Sequence, residues 1–247
     1  MKMSSILNKP KTKRVIRTEA LYPLPGDFYF KQSVLLLLIA LFLIWLSRSE
    51  SWDMAISQMW YDPLTQRFPW KDNAWLNLIN HHLIKDLIIA GGVLLLIAGL
   101  LRRQWRWVLV ALLMGVGPLV VGLLKSSSAH SCPWDLVQFG GDAVSYPLFG
   151  AIPENSGPGR CFPGGHASSG FSAMALFFLF YPRRPHLAWC CWWAAVLVGL
   201  VMGFGQIMRG AHFLSHNLWA AWWVWLTQCV IFGCVTHLLE IKRKLKR

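Results

Sequence analysis

The sequence predicts an all-α, polytopic membrane protein with six transmembrane helices and an active site on the outer face. Three observations predict it. The 247-residue chain is 55% hydrophobic and only 14% charged, against about 25% charged in an average globular domain, and its mean hydropathy is +0.43. Apolar runs recur at roughly 32–47, 87–101, 107–124, 167–182, 187–205 and 218–239. Short basic segments alternate with those runs.

The first 31 residues form a polar, basic tail in which Pro10, Pro23 and Pro25 disfavour helix, so loose order is expected there. No apolar core stands early enough for a cleavable signal peptide, and the first helix is expected to act as an uncleaved signal. The membrane domain is expected over residues 32–241, with its chemistry between 125 and 217, followed by a basic tail at 242–247. Several runs fall short of the ~20 residues of a comfortable span, so their ends must borrow flanking residues. No internal repeat is present, which removes the inverted-repeat transporter signature.

A formal net charge of +13 suits a polyanion partner, but the placement of the charges excludes nucleic acid as the expected ligand. Of the 24 Lys and Arg, 17 fall in the N-terminal tail to Lys31, Arg102 to Arg106, Arg183 with Arg184, and Lys242 to Arg247. Under the positive-inside rule these segments face the cytoplasm, and six spans return both termini to that side. The expected location is a bacterial inner membrane, with residues 48–86, 125–166 and 206–217 on the periplasmic face. Trp52, Trp60, Trp70 and Trp75 in the first of these loops suit an interfacial position.

Cys190, Cys191, Cys229 and Cys234 fall within spans and read as small apolar fillers. Cys132 and Cys161 share one outer loop in an oxidising compartment. A bond between them encloses 28 residues and contributes roughly 3 to 4 kcal/mol in the chain-entropy picture. Free or metal-binding thiols are the alternative, with His130 and His166 nearby but no regular ligand spacing; a disulfide and no metal is the expectation.

Residues 162–168 read FPGGHAS and residues 205–217 read GQIMRGAHFLSHN. Pro163 stops the preceding chain, Gly164 and Gly165 permit close backbone approach, and a helix starting near Ala167 offers amides without internal partners. That combination seats an anion, and His166 beside it can protonate a leaving oxygen. If the last helix begins near Ala211, His212 and His216 share one face, and one can hold the other's tautomer for nucleophilic attack. Arg209 at the end of a span is costly unless an anion faces it. Lys125, at the outer end of the third run, is by itself an ordinary snorkelling lysine.

The order Lys125, six residues, Cys132-Pro133; Pro163-Gly-Gly-His166; Gln206, five residues, His212, three residues, His216 resembles the type 2 phosphatidic acid phosphatase superfamily. The pattern of that family is lysine, six residues, Arg-Pro; Pro-Ser-Gly-His; Ser-Arg, five residues, His, three residues, Asp. The resemblance covers Lys125 to His216 and the six-helix layout. It implies that His212 is the nucleophile forming a phosphohistidine and His166 the acid for the leaving group. Lys125 and the amides of Gly164 and Gly165 are then the phosphate-binding groups, and no metal or cofactor is required.

The departures are specific. Cys132 and Gln206 replace the two arginines, Gly164 and Gly205 replace the serines, and His216 replaces the orienting aspartate. Arg209 and Arg160 are the candidates to supply the missing guanidinium, Gln206 supports the site, and Asp135 is the candidate for a displaced carboxylate. The resemblance implies a lipid phosphatase acting on undecaprenyl pyrophosphate, lipid A or phosphatidylglycerol phosphate. A lipid-to-lipid phosphotransferase, an anionic-lipid transporter and an inactive structural member are the competing readings. The partners expected are the bilayer and its lipid phosphate.

Overall fold

The computed structural model describes residues 21–246, with Asn80 and His81 placed as backbone only. The order expected for the tail therefore lies largely outside the described residues. Within them run seven α-helical segments, α1 Gly26–Leu46, α2 Ser51–Gln58, α3 Ala74–Leu101, α4 Trp105–Ser126, α5 Gly165–Phe180, α6 Pro185–Met208 and α7 Leu214–Lys244, with short 3₁₀ turns at Pro133–Asp135 and Val137–Phe139. Among the described residues there is no strand, only two isolated bridges, Asp62 with Arg67 and Leu136 with Ala143. The protein is all-helical. Among the described residues five helices are long and apolar enough to cross a membrane, and α5 is a shorter apolar sixth.

Each helix departs from its apolar run for a local reason. Pro25 stands at the N-cap of α1, where its missing N–H costs nothing, so the helix starts at Gly26 rather than at 32. α3 starts at Ala74 rather than 87, because the Asn73 side chain caps the Leu76 amide at 2.9 Å and a π-helical stretch, Asn77–Leu83, leads into the apolar part. α5 carries a 3₁₀ stretch at Ala173–Leu176. Lys242, Arg243 and Lys244 still belong to α7, so the basic C-terminal segment continues the helix instead of forming a separate tail. Arg243 donates to the Leu21 carbonyl at 2.7 Å, tying the two ends of the described chain together on one side of the bundle.

The core lies where α5 is surrounded. Phe171, Met174, Phe177 and Phe178 of α5 pack against Val110 and Leu113 of α4, Ala188 and Ala195 of α6 and Val224, Trp225 and Phe232 of α7, all buried. Two helices approach to backbone contact: a Cβ on Gly170 would stand 2.5 Å from Gly199 Cα, and one on Gly199 would stand 2.2 Å from the Phe171 ring. Small residues permit this approach where lipid supplies no hydrophobic drive between helices. Buried polar groups close on one another: Trp225 donates to Gln32 at 2.9 Å and Gln228 to the Ser172 carbonyl at 2.8 Å. α1 and α3 leave Leu37, Leu38, Phe42, Leu87 and Leu94 exposed, as a lipid-facing surface requires.

A second, smaller core sits at the end of the bundle opposite the basic turns. Phe68 of the loop after α2 and Leu136, Phe139 and Ala143 of the loop after α4 enclose Phe213, with Trp60, Tyr61 and Trp134 around them. Gly210 takes φ +69° directly beneath Phe68, where a Cβ would stand 2.4 Å from the ring. Only glycine satisfies both conditions. These loops form a lid over the ends of α4, α5, α6 and α7.

Candidate active site

Under that lid the structure gathers Lys125 from the last turn of α4, His166 from the first turn of α5, and His212 and His216 from the start of α7. His212 and His216 are both 2% exposed. The expectation that they share one helical face is corrected: α7 begins at Leu214, and Phe213 is extended at ψ 162°. His212 therefore lies in the turn before the helix. The reason is a cap the sequence did not reveal. Asp53 of α2 accepts from the Ser215 amide at 2.9 Å and the Ser215 hydroxyl at 2.5 Å, satisfying donors that the first turn leaves free.

The His212 and His216 rings meet edge to face at 6.0 Å, so His216 packs against His212 without holding its tautomer. His216 sits instead in an aromatic cage with Phe162 at 5.3 Å and Phe213 at 5.2 Å. The group against His212 Nδ1 is Cys161 Sγ at 3.4 Å. Cys161 is joined to Cys132 in a disulfide whose sulfur carries no proton, so its 3.1 Å approach to the Ala211 carbonyl is a close contact without donation. With Nδ1 directed at this bridge, Nε2 is the nitrogen left to meet a substrate. Burial pushes the His212 imidazole well below its ordinary value, with the charges of Lys125, His216 and His166 acting the same way. It is neutral at neutral pH, as a nucleophile must be.

The His166 and His212 rings are 6.4 Å apart. Lys125 crosses the start of α5: a Cβ on Gly165 would stand 3.7 Å from Lys125 Nζ and 3.6 Å from its Cδ. A cation, an open helix N-terminus and two imidazoles thus face one space. One expected donor is absent from it, because the Gly164 amide donates to the His216 carbonyl at 2.9 Å. The remaining first-turn amides, those of Gly165, His166 and Ala167, are the groups of the expected anion seat.

The substitutions around the seat fit each other. A Cβ on Gly164 would stand 2.4 Å from Asn217 Oδ1, and one on Gly203 would stand 2.8 Å from Asn217 Cγ. Asn217 occupies the space a serine at 164 would need, and its Nδ2 donates to the carbonyls of Gly203 at 3.2 Å and Phe213 at 3.1 Å. Gln206 is 1% exposed and its carbonyl accepts from the Ala211 amide at 2.9 Å, which shapes the turn leading to His212.

Arg209 Nε donates to the Lys71 carbonyl at 3.0 Å, fastening the first loop to the end of α6. Arg160 is exposed with φ +57°, and its amide donates to the Ser128 carbonyl at 2.7 Å. Asp135 is corrected: its carboxylate accepts from the Cys132 amide at 3.2 Å and caps its own 3₁₀ turn. The carboxylate bound to the His216 helix is Asp53. Behind His216, Asp53, Glu50, His130, Tyr146 and Ser215 help to line a small recess, in which His130 stacks on Tyr146 at 4.2 Å.

Residues 104–239 match the sequence pattern of the PAP2 superfamily, a stretch that holds every histidine of the site. The chain belongs to the PAP2 superfamily. Within it, this PAP2 chain is similar to the lipid A 4'-phosphatase of Francisella tularensis subsp. novicida (strain U112), with 28% identity over 132 residues, or 53% of this chain. The aligned part spans 58% of that relative's length. A solved structure, that of a transmembrane PAP2 type phosphatidylglycerolphosphate phosphatase from Bacillus subtilis, superposes with a TM-score of 0.49 at 17% identity, covering 87% of this chain and 96% of that one.

Proposed function

We propose that this protein is a membrane lipid phosphatase that hydrolyses a lipid phosphate through a phosphohistidine on His212. The observation that carries the reading is the opposition of two imidazoles, His166 and His212, at 6.4 Å across a helix N-terminus against which Lys125 lies. That arrangement meets the needs of phosphoryl transfer: a nucleophile, an acid on the opposite side and fixed positive charge between them.

In this reading the phosphate sits on the first-turn amides of α5 with Lys125 beside it. Nε2 of neutral His212 attacks phosphorus, and the bond from phosphorus to the lipid oxygen breaks as His166 donates its proton to that oxygen. Neutral His166 then takes a proton from water, which cleaves the phosphorus–nitrogen bond and releases inorganic phosphate. Charge developing on the equatorial oxygens is met by Lys125 and the amides, the largest contribution in chemistry of this kind. Arg209 and Arg160 are the two guanidinium groups whose chain positions flank the site.

The substrate's tail has a path. Ile88, Gly92, Met114, Pro118, Ser169 and Ser172 line an apolar groove between α3, α4 and α5, and Ser169 lies one turn below His166 on the same helix. A phosphate arriving on a lipid is therefore favoured over a soluble ester. Among undecaprenyl pyrophosphate, lipid A and phosphatidylglycerol phosphate, the relative named above supports lipid A. We place the protein in a bacterial inner membrane with both termini cytoplasmic and the site periplasmic, supported by the basic turns at the other end of the bundle.

The test is phosphate release by the purified protein from a panel of those three lipids and a soluble phosphomonoester. Release from at least one lipid, dependent on His212, is expected. Transfer of label to a second lipid without free phosphate would identify a phosphotransferase, and absence of both reactions would contradict the enzyme reading.

A further inference from the structure

Three ligand atoms meet at the nucleophile: the Cys132 and Cys161 sulfurs and a His212 ring nitrogen all lie within 4.8 Å of one another. As a disulfide, the two sulfurs cannot bind a cation strongly. Once separated into thiols they can, and the third ligand is already in place. From Zn–S and Zn–N bonds of about 2.3 and 2.0 Å at tetrahedral angles, the sulfur and nitrogen ligands of a zinc ion stand about 3.5 Å apart. Cys161 Sγ and His212 Nδ1 are 3.4 Å apart.

We infer that reduction of the Cys132–Cys161 bridge converts this part of the site into a Cys₂His zinc centre that captures His212. The first step is exchange with a dithiol: its two thiols become a disulfide as the protein's S–S bond accepts two electrons and two protons. Zinc then displaces one proton from each protein thiol and binds both thiolates and the imidazole. Cys132 is part exposed whereas Cys161 is fully buried, so the incoming reductant meets Cys132 first. Two thiolates cancel the charge of the ion, which lets a neutral centre form beside Lys125. Three protein ligands leave a fourth position for water, the arrangement of open rather than closed zinc sites.

The geometry separates two states of one imidazole. With the bridge intact, His212 is held against a sulfur that takes no proton and its other nitrogen is available. With the bridge reduced and zinc on Nδ1, the neutral imidazole carries its one proton on Nε2, so the attacking nitrogen has no free lone pair and turnover stops. That consequence rests on the phosphatase reading of His212; the binding of zinc does not.

The experiment measures zinc uptake by the full-length protein in detergent, by competition with a chromogenic chelator, before and after reduction with a water-soluble phosphine. The phosphine carries the bridge to two thiols and takes the oxygen of water to become its oxide. Cys190, Cys191, Cys229 and Cys234 are free thiols in both samples, so the difference reports the Cys132–Cys161 pair alone. One further equivalent of zinc in the reduced sample is expected. Cobalt(II) in its place should show the thiolate charge-transfer absorption of a tetrahedral site. Cys132→Ser should abolish the extra equivalent, and His212→Ala, with both thiols intact, should weaken it by roughly tenfold or more. Equal uptake in both redox states, or full affinity in His212→Ala, would overturn the inference. Since uptake is read without turnover, a protein that binds zinc only when reduced but releases no phosphate would fail the phosphatase reading and leave this one standing.

Discussion

Asp53 holds Ser215 by both its amide, at 2.9 Å, and its hydroxyl, at 2.5 Å, so a carboxylate on α2 fixes the first turn of α7, which carries His216 and directly follows His212. Removing it with Asp53→Ala should cost about 1 to 3 kcal/mol, the range for stranding buried donors, and lower turnover in parallel. Asp53→Asn is a different test. Its carbonyl can still accept from the amide, while the hydroxyl can turn to accept from its NH₂, so stability should be largely kept. Thermal unfolding of the three proteins in one detergent checks the ranking.

The pH dependence of stability follows with a definite sign. Burial raises the Asp53 carboxyl above its ordinary 3.8, outweighing the hydrogen bonds from Ser215 and Leu214 that lower it. Between 3.8 and the raised value the folded protein binds more protons than the unfolded chain, so this group's contribution falls as pH rises through that window. Asp53→Asn should flatten that part of the stability profile. A profile identical in wild type and Asp53→Asn would show that the carboxyl is not displaced.

His212 behaves in the opposite sense. Its depressed value keeps it neutral below 6.5, where an unfolded histidine charges, so the fold loses stability as pH falls below 6.5. For activity, the acid limb contributed by the nucleophile should lie below 6.5. Lys125→Gln removes the largest charge that depresses it, and should move that limb upward while reducing kcat/KM substantially. The pH profile of kcat/KM measures both.

Asn217 and Gly164 should behave as a coupled pair. Gly164→Ser places a side chain where Asn217 Oδ1 would be 2.4 Å from its Cβ, and overpacking of this kind costs about 1 to 3 kcal/mol. The double variant Gly164→Ser, Asn217→Ala removes the obstruction and should recover much of the lost activity. A double-mutant cycle with no coupling energy would mean that the two positions are independent.

Arg209→Lys keeps the charge but loses the planar fork and the donor to the Lys71 carbonyl. A raised KM with a smaller change in kcat is expected if Arg209 receives the substrate's phosphate at the edge of the site. Unchanged kinetics in Arg209→Ala would redirect that role to Arg160.

Much of this was legible in the chain. Composition and the alternation of basic turns with apolar runs gave the helical membrane architecture, and the spacings from Lys125 through His166 to His212 named residues that the structure brings close together. What escaped depends on contacts between distant segments. Nothing in the WDM around Asp53 marks a cap for a helix 162 residues away. The break at Phe213 was hidden because RGAHFLSHN reads equally well as a helix start three residues earlier. The Gly164 amide looked like a phosphate donor because its bond to the His216 carbonyl is formed only when α5 and α7 come together. Asp135 was the nearest carboxylate in sequence, while Asp53 proved to be the one bound to the His216 helix.

The central claim is that His212 carries the phosphoryl group, and trapping the phosphoenzyme tests it most directly. Rapid denaturing quench during turnover of a labelled lipid phosphate, followed by peptide mapping, should place an acid-labile, base-stable phosphate on His212, accumulating further in His166→Ala if water attack needs that residue as base. Steady turnover with no label on His212, or activity retained in His212→Ala, would contradict the account.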